Sequence, residues 1–174
     1  MISEKEKQEF TERVIEINRV TRVVKGGRRL RFRTLAVVGN RKGKVGFGLG
    51  KAGDVSQSIG KAVEKAYQNL QSIYLTPEGT VPYSIKSRAK RAQVLIKSAP
   101  AGTGVIAGGA VRTVLELAGL KNVVSKALGS GDKISNAVAT IQALSQIIDP
   151  KELLKRRGKE PKRSPIKKAS FKKQ

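Results

Sequence analysis

The chain contains no cysteine, no histidine and no tryptophan, and only three tyrosines and four phenylalanines among its 174 residues. Without cysteine there is no disulfide framework and no thiolate metal site. Without histidine the commonest metal ligand and general base is missing, so catalysis would have to rest on Asp, Glu, Lys, Ser or Tyr. The scarcity of aromatic rings argues against a platform on which single-stranded bases stack. No apolar run approaches the roughly 20 residues that span a bilayer. The first residues, Met1-Ile2-Ser3-Glu4-Lys5-Glu6-Lys7, offer no apolar signal region, and their acids speak against a transit peptide. Carboxylates are also scarce: 13 Asp and Glu stand against 36 Lys and Arg, a formal net charge of +23.

That charge is spread along the chain. Cut after Thr76 and Pro150, the three pieces carry +9, +5 and +9. Polyphosphate is the natural partner, because each neutralised phosphate releases condensed counterions; non-specific adhesion to an anionic membrane is the plainer alternative. The densest feature is Val24-Lys25-Gly26-Gly27-Arg28-Arg29, continued by Leu30-Arg31-Phe32-Arg33-Thr34. At a strand's period of two, Arg29, Arg31 and Arg33 face one way, and Leu30 and Phe32 face the other, toward a core. Arg41, Lys42 and Lys44 extend the basic set, and few carboxylates lie nearby in sequence. Guanidinium forks repeated along one face suit RNA backbone and groove shape rather than base stacking.

The periodicities predict an α+β chain. A first strand runs from Arg13 to about Val24, with a bulge expected near Arg19. A second runs from Arg29 to Val38 and ends at the Gly39-Asn40 turn. The third, Lys44 to Gly50, alternates Val45, Phe47 and Leu49 with Gly46, Gly48 and Gly50; such a bare face permits close approach or simply twist. Asp54 with Gln57 has capping-box spacing, and Val55, Ile59, Ala62, Val63, Ala66 and Leu70 recur as on a helix. This first unit reads β-β-β-α. Leu75 to Gly79 reads as a linker. Beyond it, Val81–Ile85 and Ala92–Lys97 are expected as a strand pair joined by the basic stretch Lys86 to Arg91. A glycine-rich turn, 101–109, then leads into a helix closed by Gly119. A strand over Asn122–Leu128 and a helix bearing Ile134, Val138, Ile141, Leu144 and Ile148 complete a β-β-α-β-α unit stopped by Pro150. From Lys151 onward the composition predicts disorder off its partner.

Two phosphate-loop patterns fail on inspection. Gly48-Leu49-Gly50-Lys51-Ala52-Gly53 matches G-x-G-x-x-G, but it follows hairpins, and no acid lies between Lys65 and Pro77 to take a ribose. A phosphate contact through Lys51 at the helix start remains open there, opposed by Asp54. Gly39 to Val45 is one residue short of a P-loop and has Val45 in place of the metal-binding hydroxyl. The turn Gly102-Thr103-Gly104 through Gly108 and Gly109 supports two readings equally, an anion site at a helix N-terminus or a tight connection allowing protein contact. Arg112 in the first turn suits an anion but opposes the helix dipole if unpaired.

Read in order, the two units resemble the bacterial-type family of small-subunit ribosomal protein five, from about Glu12 to Ile148. The likeness rests on Asn18-Arg19-Val20 leading to Val23-Val24-Lys25-Gly26-Gly27-Arg28, on Gly39-Asn40 through Lys44-Val45-Gly46-Phe47-Gly48, and on Gly50-Lys51-Ala52. It is strongest at Gly102-Thr103-Gly104-Val105-Ile106-Ala107-Gly108-Gly109-Ala110-Val111-Arg112 and Val114-Leu115-Glu116-Leu117-Ala118-Gly119. The chain departs from the family pattern at Lys86–Arg91, which is more basic, and at the turn from Gly129 to Asn136.

The resemblance implies a double-stranded-RNA-binding-like domain over residues 12–76, after an N-terminal tail of 1–11. It implies a second, two-layer domain over 77–150 with a left-handed βαβ crossover, followed by a basic tail of 151–174. It implies a structural, non-enzymatic component of the small ribosomal subunit, on a bacterial or an organellar ribosome, with no cofactor, metal, membrane or small-molecule substrate. Its partners would be small-subunit ribosomal RNA, the fourth and eighth ribosomal proteins, and mRNA near its entrance path, with an influence on decoding accuracy. The expected RNA-binding residues are Arg19, Lys25, Gly26, Gly27, Arg28, Arg29, Arg31, Arg33, Arg41, Lys42, Lys44 and Lys51. Gly102, Thr103, Gly104, Gly108, Gly109 and Arg112 are expected to face protein or RNA. A free double-stranded-RNA chaperone and a nucleotide-dependent enzyme are the rival readings.

Overall fold

The structure, a computed structural model, describes residues 9–158. Three long antiparallel strands come first: β1 (Thr11–Val24), β2 (Gly27–Gly39) and β3 (Lys44–Ala52). Helix α1 (Val55–Gln68) and the two-residue β4 (Gln71–Ser72) follow, and the sheet order is β1-β2-β3-β4. The second unit holds β5 (Ile85–Ala89), β6 (Ala92–Ser98), β7 (Val105–Ile106), α2 (Gly109–Ala118), β8 (Val123–Gly129) and α3 (Lys133–Ser145). Its sheet runs β5-β6-β8-β7, antiparallel except for the β7/β8 pair. A short helix, α4, spans Pro150–Arg156.

The alternating glycines of β3 are there for the helix. Gly46, Gly48 and Gly50 lie opposite Val38, Ala36 and Thr34, so these six share one face of the sheet. A methyl on each glycine would overlap the backbone carbonyl of Ala66, Ala62 or Ser58, respectively, which are successive turns of α1. The helix therefore rests backbone against backbone, and the buried Thr34 and Ser58 hydroxyls hydrogen-bond across the contact at 2.7 Å. Asp54 starts the helix but makes no capping bond with its side chain; the expected capping box does not form, and the carboxylate stays exposed.

The opposite face of the same sheet carries Leu35, Val37 and Val45, which join a core with Val111, Val114, Leu115 and Leu117 of α2 and Ile141 and Leu144 of α3. Glycine again sets the approach: a side chain on Gly39 would strike the Leu117 carbonyl, and one on Gly119 (φ +100°) the Arg41 carbonyl. The two units thus share one continuous core. The stretch expected as a linker is fixed accordingly. Gly79 accepts from the backbone N–H groups of Lys121 (2.7 Å) and Asn122 (3.1 Å), while the Asn122 side-chain amide donates to Glu78 at 3.2 Å.

Four expectations are corrected. The β1 bulge lies between Val14 and Glu16 rather than near Arg19, because Ile15 packs against the core and takes up the extra residue. The basic stretch Lys86–Arg91 is not a loop: Ser87 and Ala89 turn inward, so β5 is made from it and only Lys90 (φ +53°) and Arg91 form the turn. Small inward side chains hid that strand from a hydrophobic pattern. β7 was not foreseen within the glycine-rich segment. Finally, Pro150 opens a helix rather than stopping the preceding one, which already ends at Ser145 and leaves Ile148 outside it, since proline's fixed φ suits a first helical turn; Glu152 and Arg156 pair at 2.7 Å, and Leu153 and Leu154 are half-buried. The start of the expected basic tail, 151–156, is thus helical here, and residues 159–174 lie outside the described residues.

Candidate nucleic-acid interface

Because β2 is paired on both sides, its register decides what shares a face with its arginines. Arg29 lies opposite Arg22, Arg31 opposite Val20, and Arg33 opposite Asn18 on β1 and Lys51 on β3. Arg22, Arg29, Arg31, Arg33 and Lys51 thus form one exposed stripe, with a cation about every 6.6 Å along β2. Val20, Thr21, Arg22, Val24, Arg29, Arg31 and Lys51 line a groove of about 340 Å³ on it. Arg22 was not among the residues picked from sequence.

The bulge explains both that omission and a misplacement. Before it, Arg13 faces the second unit; after it, the phase of β1 flips, so Glu16, Asn18, Val20 and Arg22 take over that face. Arg19 goes to the other side beside Phe32, and Arg28 lies there too, opposite Val23. This second face is not buried in a core as expected. Leu30 is 44% exposed and Val23 76% exposed, because the hairpin extends past α1 as an arm.

The carboxylates on the arginine face are engaged where the arm leaves the core. Glu16 accepts from Lys133 at 3.0 Å, and Glu116 bridges Arg13 (2.7 Å) and Arg112 (2.8 Å). Both arginines hold the Glu116 carboxyl below its usual range, the Arg112 hydrogen bond most of all. Asp132 caps α3 by accepting from Ser135, whose side chain and N–H hold its carboxyl low, with the nearby Arg33 guanidinium adding to the effect. Farther out, Arg22, Arg29, Arg31 and Lys51 form no ion pair among the described residues. Like charges placed directly across a strand pair, as Arg22 and Arg29 are, cost up to about 1 kcal/mol until an anion lies between them. The face is therefore a set of unpaired cations whose mutual repulsion an anion would relieve.

At the tip, Lys25 and Gly26 connect the paired Val24 and Gly27, and Gly26 takes φ +87°. Gly27 has neither a left-handed backbone nor neighbours a side chain would meet, so nothing inside the chain demands glycine there. Arg41, Lys42 and Lys44 sit at the other end of β2, roughly 40 Å away at strand rise; they do not join this cluster. Their turn is organised by Asn40, whose side-chain oxygen accepts from the N–H groups of Lys42 (2.8 Å) and Lys44 (2.9 Å). The Arg41 N–H donates to Leu117 at 2.9 Å, which docks the turn on α2.

The glycine-rich turn of the second unit is organised by Asn122, another residue not singled out from sequence. Its side-chain oxygen accepts from Gly102 (3.0 Å) and Gly104 (3.4 Å), both at positive φ, while Thr103 bonds Pro100. Gly108 and Gly109 begin α2 with open space where side chains would be. Arg112 is paired to Glu116 one turn along, which removes its conflict with the helix dipole.

An arginine arm and a glycine-entered helix, fused through one core, have close counterparts. Residues 10–74 match the family model described as ribosomal protein S5, N-terminal domain, and residues 87–157 match the ribosomal protein S5, C-terminal domain. The chain belongs to the ribosomal protein S5 family. Small ribosomal subunit protein uS5 of Treponema pallidum (strain Nichols) is 47% identical over 152 residues, covering 87% of this chain and 88% of that protein. The protein of the same name from Prochlorococcus marinus (strain MIT 9215) is 50% identical over 150 residues, 86% of this chain and 73% of that one. That from Thermotoga neapolitana is 46% identical over 150 residues, 86% and 84% respectively. The S5 family is structural rather than enzymatic. It belongs to the small subunit, and binding of ribosomal RNA is typical of it.

Proposed function

We propose that this chain works in the small ribosomal subunit of a bacterium by holding converging ribosomal RNA backbones against the Arg22, Arg29, Arg31, Arg33 and Lys51 face. The observation that carries this is the cross-strand stacking of arginines on an arm that has no carboxylate of its own beyond Glu16. The chain acts through charge and shape: it neutralises phosphate and performs no reaction. The tip from Lys25 to Arg28 approaches RNA closely at its two glycines. Arg19 and Arg28, on the arm's other face, touch a different strand of RNA from the main stripe. The turn bearing Arg41, Lys42 and Lys44 makes a separate contact at the far end.

The surface of the second unit around Gly102, Thr103, Gly104, Gly108 and Gly109 meets neighbouring ribosomal proteins, the fourth and eighth by the family resemblance, near the path by which mRNA enters. Its fit there supports decoding accuracy. The test is sedimentation of cell lysate through sucrose at low and high salt, followed by detection of this chain. Co-migration with small subunits that survives high salt is the expected result. The chain remaining at the top of the gradient overturns the proposal in favour of a free RNA chaperone.

A further inference from the structure

Four charges of alternating sign meet where the arginine arm leaves the core. Glu16, the first residue after the β1 bulge, lies opposite Leu35, while Arg33 lies opposite Asn18 on the same face. Glu16 and Arg33 are thus diagonal neighbours on the side of the sheet turned toward the second unit. The start of α3 reaches them there, from the turn at which the chain departs from the family pattern. Lys133 is bonded to Glu16 at 3.0 Å, and the Glu16 side chain is only 25% exposed. The Ser135 hydroxyl above all, and the Arg33 guanidinium more weakly, hold the Asp132 carboxyl low, so that guanidinium lies within its electrostatic reach. The α3 end of the cluster is stiff. Asp132 accepts from the Ser135 N–H at 3.0 Å, its own N–H donates to the Ser130 hydroxyl at 3.2 Å, and the Asn136 amide donates to the Ser130 carbonyl at 3.0 Å. Behind them, Ile141 and Leu144 pack α3 into the shared core. The end of the sheet is the softer partner. A bulge bends and twists the strand that carries it, and beyond Phe32 β2 is no longer paired to β3, so the arm continues as two strands. Arg13, bonded to Glu116 at 2.7 Å, and Glu16, bonded to Lys133, tether the bulge from its two sides.

We infer that Asp132 and Lys133 are positioning residues for the RNA face: by holding Arg33 and Glu16, they fix the direction in which the arm leaves the core. The consequence for RNA rests on the proposed RNA contact; the direction of the arm is a property of the free chain. The charge of Glu16 makes sense in this role. It is the only carboxylate from Arg13 to Gly53, and it stands on a face of cations proposed to meet phosphate. By charge alone it weakens that contact. Its bond to Lys133 instead sets the remaining cations at a fixed angle to the core, and an arm already pointed at its target loses less freedom on binding. Charge and position therefore predict opposite signs for Glu16→Gln: tighter RNA binding if only charge counts, weaker binding if Glu16 holds the arm.

The test uses the full-length chain, whose lack of cysteine lets spin labels be attached at Lys25→Cys on the arm tip and Gln142→Cys on α3, both exposed. In the free chain the distance distribution between the labels is expected to be narrow. It should broaden or shift in Glu16→Gln, in Lys133→Gln and in Asp132→Asn, the last of which keeps a capping oxygen for α3. The charge exchange Glu16→Lys with Lys133→Glu should restore it. Without labels, Glu16→Gln should bind a transcript of the small-subunit ribosomal RNA about two- to fivefold more weakly although it gains net positive charge, and the exchange should recover wild-type affinity to within about twofold. A distribution that stays unchanged in any of the single variants, tighter RNA binding by Glu16→Gln, or an exchange that rescues neither readout would each overturn the inference. If the wild-type chain binds no such RNA, the RNA reading fails, and the label distances still decide whether α3 holds the arm.

Discussion

Replacing Arg22, Arg29 and Arg31 together by alanine tests the arginine face directly, because the hairpin register sets Arg22 opposite Arg29 and on the same face as Arg31. If each touches one phosphate, the slope of log affinity against log salt falls by about 0.9 per residue, or about 2.7 in all for a duplex-like target. Between about 50 and 200 mM salt, the wild-type chain would then lose roughly forty-fold more affinity than the variant. The assay is filter binding to a transcript of the small-subunit ribosomal RNA at four or five salt concentrations. The comparison that matters is Lys90→Ala with Arg91→Ala in the turn between β5 and β6, which removes two exposed cations outside every proposed RNA contact and should leave the slope unchanged. Melting followed by circular dichroism guards against a trivial outcome. The three side chains are exposed and Arg22 opposes Arg29, so the triple variant should melt no lower than wild type. An unchanged salt slope in the triple variant would refute the reasoning. So would a slope that fell equally per cation wherever the cations were removed, because binding would then follow net charge and not this face.

The glycine face of β3 gives a sharper structural test. Gly48→Ala should destabilise the fold by about 3 kcal/mol, lowering Tm by about 6–12 °C, because the added methyl meets the backbone of Ala62 and Ala66, which cannot rotate away. Gly53→Ala, with nothing near its added methyl, should stay within about 0.5 kcal/mol; equal melting of the two variants would remove close helix approach as the reason for these glycines. Glu116→Gln should cost about 0.5–1 kcal/mol at pH 7 by releasing Arg13 and Arg112, both largely exposed. The folded state lowers the Glu116 pKa, so the folded chain binds fewer protons than the unfolded one there, and the gain exists above the ordinary carboxylate range and fades as pH falls through the lowered value. Urea midpoints should therefore differ between wild type and variant at pH 7 and converge at about pH 2; a gap that persists in acid would mean the glutamate acts through packing.

The arginine arm could be read from sequence because an alternation of Arg with apolar residues has one meaning on a strand. Which face each β1 residue joins could not, because one inserted residue inverts every side chain after it. The signal for the bulge was a single apolar residue, Ile15, out of step with its neighbours, and nothing local distinguishes that from the irregularity around Arg19. The glycines of β3 announced a close approach without naming what approached; α1, only a few residues downstream, was the nearest candidate. Leu75 to Gly79 carried every mark of a free connection. What pins it is Asn122, more than forty residues later, and such a partner has no local signature. The β5 strand was expected four residues too early, at Val81–Ile85 instead of Ile85–Ala89, for the opposite reason. Its inward residues, Ser87 and Ala89, are small because α3 packs closely there, so tight packing erased the hydrophobic pattern that normally reveals a strand.

β2 shows how one strand can serve the fold and the RNA without conflict. From Thr34 to Gly39 every residue is buried, with α1 on one side and α2 on the other, so this half is fixed by packing from both faces. From Gly27 to Arg33 only Phe32 is even partly covered, and the strand is held mainly by its ladder to β1. The change happens within one residue, between Arg33 and Thr34. Charge repulsion among the arginines consequently acts on a part of the chain that contributes little to the core, so the cost of keeping cations close together is not charged against the stability of the whole. The same separation means that, under the proposed RNA contact, a shift of the tip can relax along the hairpin before it reaches Leu35. Had two of the arginines stood instead at positions 35 and 37, opposite Leu49 and Phe47, each of those guanidiniums would have had to find a buried partner or unfold the shared core.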